Sequence, residues 1–185
     1  DALRCICESS VRAVEHGATI VVLNDRGHDR QWAPVPSLLA VSAVHNHLIR
    51  RGLRHRTSLV AAAGDVREVM HFCTLIGYGA SAVNPYLALD SLRQLRADGL
   101  ITHGDTQATN LYLQAVNKGV LKVLSKMGIS TLSGYHGAQV FEALGIGDHL
   151  IEQFFPGTPS RLGGIEIETL ETECLMRHRS VFAEQ

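Results

Sequence analysis

Ten histidines and four cysteines are the side chains from which this chain of 185 residues could build a metal centre or a nucleophile. Their spacing argues against both. His45 and His47 stand two apart in a helical stretch and point to different faces, whereas helical metal ligands need a separation of three or four. His71 sits on a helix surface with no partner nearby in sequence. Cys5 and Cys7 are also two apart, and Cys73 and Cys174 fall at apolar positions of amphipathic patterns. Buried free thiols of a reducing compartment are the expectation, and with them a cytoplasmic location. No Gly-x-Ser-x-Gly elbow, Gly-x-Gly-x-x-Gly turn or phosphate loop is present. Lys118, Lys122 and Lys126 form a basic stripe, either an anion contact or a solvated face toward the negative end of a helix dipole. Gly163 and Gly164 read as a hinge.

The remaining candidates are polar groups that follow short apolar runs. These are Asn24, Asp25 and Arg26, then Gly64 and Asp65, then Asn84 and Tyr86, then Ser133, Tyr135 and His136. Such groups either hydrogen-bond a ligand or cap the helices behind them. Asp25, Arg26, Asn84, Tyr86 and Tyr135 are the candidate rim or domain-interface residues. No catalytic, cofactor-binding or metal-ligating residue is expected in this segment.

These groups can meet only if the elements before them are parallel strands. The chain opens in a helical pattern with Leu3, Cys7, Val11 and Val14 on one face, an unusual start that reads as a segment cut from something longer. Residues 18–23 suit a buried strand, and 37–51 a helix with Pro36 at its entry and Gly52 after its end. Residues 57–63 form the next strand. Asp65 and Glu68 read as a capping box for a helix carrying Val66, Val69, Cys73 and Ile76. Residues 80–83 predict a third strand, 87–97 a helix, and 99–108 a mobile loop. A long helix capped by Thr109 runs to Met127. A fourth strand at 129–132 and a helix at 137–144 follow, after which the strand pattern stops. A turn-rich connector around Pro156 and Pro159 leads to a helix over 166–179.

Strands separated by helices require crossovers, so the expected fold class is α/β, with parallel β/α units and a helical C-terminal linker. Four strands are too few for an eightfold barrel, which leaves an incomplete sheet or a partial TIM-barrel-like arc. The expected division is residues 1–145 as the α/β part and 146–185 as linker and helix. A formal net charge of -1 offers no field for nucleic acid, and no apolar run approaches a membrane span.

Several ordered blocks carry a family resemblance. They include Asn84-Pro85-Tyr86-Leu87-Ala88, residues 121–131, Gly137-Ala138-Gln139-Val140-Phe141-Glu142-Ala143 and Gly157-Thr158-Pro159-Ser160-Arg161. Gly77-Tyr78-Gly79-Ala80 and residues 33–41 add to them. Together they resemble the central region of the large subunit of glutamate synthase, which makes glutamate from glutamine and 2-oxoglutarate. The resemblance implies the later part of the central domain plus a linker toward the synthase domain. It also implies a parent with an amino-terminal glutaminase domain, a synthase barrel holding FMN and a 3Fe-4S cluster, and ferredoxin or an electron-donating subunit as partner. The nucleophilic cysteine, the cluster cysteines and the glycine-rich FMN segment of that family have no counterpart here. The chain also departs from the family at His45-Asn46-His47, at Met70-His71 and at Ala63 before Gly64. Two readings follow: an architectural segment that spaces two active sites and helps wall an internal ammonia path, or an independent small β/α enzyme or anion-binding domain.

Overall fold

The computed structural model describes residues 1–182. Helix α1 (Ala2–Glu15) buries Cys7, Val11 and Val14 on one stripe, and Gly17 at φ +95° turns the chain into β1 (Ile20–Asn24). Helix α2 (Ser37–Arg50) leads through a 3-10 turn at Arg54–Arg56 to β2 (Ser58–Ala62). Helix α3 (Val69–Gly77) leads to β3 (Ala82–Asn84). The three strands lie in the order β1-β2-β3, all parallel, with Val22 beside Val60 and Val60 beside Ala82.

Burial divides the sheet into two unlike faces. Val21, Leu59 and Ala61 point into the helix layer and are buried. Ile20 and Val22 point the other way and are 60% and 56% exposed. The layer therefore has a dry face and an open face. A wholly parallel sheet is ordinarily covered on both.

Beyond β3 lie α4 (Tyr86–Ala97) and the long α5 (Asp105–Lys126). Helix α5 packs Val116, Val120 and Leu124 against α3. Its first residues come from the stretch expected to be a mobile loop, and its N-cap is Gly104, not Thr109. Lys118, Lys122 and Lys126 lie exposed along it.

The second half corrects the sequence reading. Residues 129–132 do not pair as a strand. Ile129 N–H closes the end of α5 on Leu124 O, and the Thr131 hydroxyl accepts from Gly134 N–H to start α6 (Leu132–Tyr135). The helix expected at 137–144 is absent, because Gly137 at φ +70° and Gln139 at φ +54° cannot continue one. The strand pattern does not stop at Gly145. Strands β4 (Ala143–Ile146) and β5 (Ser160–Ile165) pair in parallel as a separate sheet, with α7 (Asp148–Phe154) between them. Gly163 and Gly164 lie within β5 and are no hinge. A Cβ on Gly164 would strike the Gly145 backbone, so glycine is required for the two strands to approach. Helix α8 (Ile167–Phe182) closes the described chain.

The architecture is thus α/β with two open parallel sheets, neither closed into a barrel. Two apolar clusters hold it together. One joins α1, α2 and β1 to Leu150, Ile151 and Phe154 of α7. The other joins α2, β2, α3 and α5 around Tyr135.

Candidate functional site

The carboxyl ends of β1, β2 and β3 bring Asp25, Gly64, Asp65 and Tyr86 together. Asp25 follows β1 directly, and its Oδ2 accepts from Gly64 N–H at 2.7 Å. Asp65 Oδ2 accepts from Ser37 N–H at 3.2 Å, at the first turn of α2. That bond takes Asp65 away from the capping box expected with Glu68. Glu68 is instead the N-cap of α3, and His71 completes the box by accepting from Glu68 N–H at 3.4 Å. His71 therefore has a structural partner that the sequence reading missed.

Tyr86 opens α4 and lays its phenol over Gly64. A Cβ at that glycine would sit 2.9 Å from the Tyr86 hydroxyl oxygen, so only glycine fits without displacement. The Arg26 guanidinium stacks on the Tyr86 ring, 4.0 Å from its centroid. Burial pushes the Tyr86 phenol up to about 12, with the facing Asp25 carboxylate adding to it. At neutral pH the phenol is a donor and not a base. The Asp25 Oδ1 atom is buried without a hydrogen-bond partner. This rim can orient loops and present a donor and a cation. It pairs no nucleophile with a base.

Asn84 ends β3 beside this cluster. Its backbone carbonyl accepts from Ala63 N–H at 3.0 Å, and its register places it beside Ala62 and across from Asn24. Tyr135 does not join the rim. It lies at the strand-entry side, fully buried, with its ring edge-on to Phe141 at 6.2 Å. Its hydroxyl faces the Cys73 thiol without hydrogen-bond geometry, and burial raises both groups.

At that same entry side lies a cluster that sequence reasoning did not single out. Arg54 donates to His45 Nδ1 at 2.9 Å, to Thr57 O at 2.5 Å and to Gly79 O at 2.8 Å. Gly79, at φ +114°, leaves room for the His45 ring where a Cβ would overlap it. Burial, then the Arg54 and His136 charges, lower His45 to about 4. Its Nδ1 accepts, so the neutral ring carries its proton on Nε2. His136 is lowered too, mainly by burial. A small cavity of about 60 Å³ borders His45, Tyr78 and Tyr135. Tyr78 OH meets the Thr158 hydroxyl at 2.8 Å, and Ser42 donates to Phe154 O, so the later segment is tied to the layer here. The sequence offered His45 only as half of a mismatched histidine pair and His136 only as a strand-end group; with Arg54 they meet only in space.

The fold and its strand ends define an open parallel β/α domain whose polar rim is chiefly engaged in holding its own loops. The family model described as the glutamate synthase central domain matches residues 1–147. The chain is 45% identical over 171 residues to the glutamate synthase [NADPH] large chain of Bacillus subtilis (strain 168), covering 92% of this chain and 11% of that protein. It is 43% identical over 197 residues to ferredoxin-dependent glutamate synthase 2 of Synechocystis sp., covering 99% and 13%. Against the glutamate synthase [NADH] of Schizosaccharomyces pombe the identity is 44%, covering 96% and 8%. The chain belongs to the glutamate synthase family and matches the central domain of that enzyme. It spans about a tenth of the length of these relatives. Among solved structures, a mutant flavocytochrome b2 with pyruvate bound shares the fold at TM-score 0.54 and 15% identity, over 90% of this chain and 37% of that one.

Proposed function

We propose that these residues serve as an architectural segment of a glutamate synthase, an oxidoreductase that forms glutamate from glutamine and 2-oxoglutarate in ammonia assimilation. In this reading residues 1–145 belong to the central domain and form a partial TIM-barrel-like arc. Residues 146–185 lead toward the synthase domain. The segment spaces the glutaminase and synthase sites and helps wall the ammonia path between them, in the cytoplasm. Ferredoxin or an electron-donating subunit serves the parent, the first in line with the ferredoxin-dependent relative of Synechocystis sp..

The observation that carries this reading is how the rim is used. Asp25 and Asp65, each at a strand end, bind backbone N–H groups of neighbouring elements. They stabilise a surface for another domain to rest on. The same observation bears on cofactors. A flavin phosphate needs free donors and little negative charge; here two carboxylates hold the Gly64 and Ser37 N–H groups, and the Arg26 cation is stacked on the Tyr86 ring beside them. The residues do not fit FMN. They do not fit an iron–sulfur cluster either, since among the described residues no group of three or more His, Cys, Asp or Glu is placed to hold a metal. Both cofactors are assigned to other parts of the parent.

Incubation of the 185-residue chain with FMN, followed by gel filtration and a visible spectrum, tests this. The expected result is no retained flavin. One equivalent surviving filtration would overturn the assignment.

A further inference from the structure

We infer that the free edge of β1 is the seat of a further parallel strand, supplied by the part of the longer protein that precedes α1. The inference rests on the reading of this chain as a segment of a glutamate synthase. Asp25 N–H donates to Ala62 O and Ser58 N–H donates to Thr19 O. In a parallel ladder this alternation sends the backbone groups of Thr19, Val21, Leu23 and Asp25 toward β2. The N–H and C=O of Ile20 and Val22 therefore point away from the sheet. They form an unpaired row along an apolar strand of sequence Ile-Val-Val-Leu-Asn. The row carries no proline, lysine or bulge, the devices that ordinarily blunt an exposed edge.

The space beside this row is shaped for a strand. A groove of about 570 Å³ runs between β1 and α1, lined by Cys5, Ile6 and Ser9 on the helix, by Val22 on the strand and by Trp32 on the loop. Topology selects the occupant. Helix α2 connects the parallel neighbours β1 and β2, and α3 connects β2 and β3. Helix α1 packs on α2 in the same layer and leads directly into β1. It holds the position of a crossover helix, and a right-handed crossover places the strand before it alongside the strand after it. The glutamate synthase relatives extend far beyond this chain, which spans about a tenth of their length. The occupant is accordingly an extended segment of the same polypeptide, and not a second copy.

Two measurements on the full-length enzyme test this. The first is hydrogen exchange resolved to single residues. The Val22 amide should exchange at least about a hundredfold more slowly than an unstructured amide, whatever the protein concentration. Exchange within about tenfold of the unstructured rate would overturn the inference. So would protection that appears only as concentration rises, since that marks a second copy. The second places a photo-reactive residue at Val22. It should cross-link within one polypeptide to a segment before Asp1, whatever else covers the open face; the absence of any cross-link to such a segment, or an interchain cross-link alone, would overturn it. Failure here would leave the architectural reading intact, because that reading is judged by coupling between active sites.

Discussion

Two residue clusters determine how this chain responds to substitution and to pH. At the rim, Gly64 and Tyr86 are a matched pair, and Gly64→Ala should cost about 1–3 kcal/mol through overpacking against the phenol. Removing the hydroxyl should relieve the clash, so Gly64→Ala combined with Tyr86→Phe should lose less than the two single changes summed. Urea midpoints of the four proteins measure this, and strict additivity would show that the two residues do not touch. At the entry side, His45 is lowered from 6.5 to about 4 in the folded chain. The unfolded chain takes up that proton first as pH falls. The stabilisation is therefore complete above about pH 6.5 and is lost progressively down to about pH 4. His45→Gln keeps an acceptor for Arg54 and removes the titration. Its stability should fall less than that of the wild type across that window. Equal slopes would show that Arg54 and burial do not hold the ring neutral.

At the scale of elements, the first half was legible because each strand is a short β-branched or small apolar run between two helices with clear stops. Residues 18–23, 57–63 and 80–83 each fell on an observed strand, and Pro36 and Gly52 bracketed α2 as expected. The second half was not legible, for a physical reason. Ile129 and Leu132 looked like a strand, but Thr131 caps a helical turn there and Tyr135 takes the buried position. Strands β4 and β5 depend on pairing across a helix and on the Gly145–Gly164 approach, which no local pattern encodes. The rim was half legible. Asp25, Arg26 and Tyr86 do meet, whereas Tyr135 was assigned to a strand end that does not exist. Helix α4 buries none of its residues completely, and Leu87 and Leu95 stay exposed on it. Ile20 and Val22 leave open one face of the first sheet, and these leucines add exposed apolar surface on α4.

Those uncovered surfaces govern the whole molecule. The isolated chain should self-associate or bind a hydrophobic dye more than a complete domain of its size. A longer version that restores the neighbouring parts should lose this behaviour. Sedimentation of both decides it, and a clean monomer without dye response would show that these residues close their own surface.

The central claim is that the segment couples two active sites without performing chemistry. The direct measurement is the ratio of glutamine hydrolysed to glutamate formed by the full-length enzyme carrying Asn84→Ala or Tyr86→Phe. These changes should disturb the rim while leaving both catalytic centres in place. Hydrolysis should then exceed glutamate formation, with flavin content unchanged. A ratio equal to that of the wild type would reduce both residues to local capping and contradict the account.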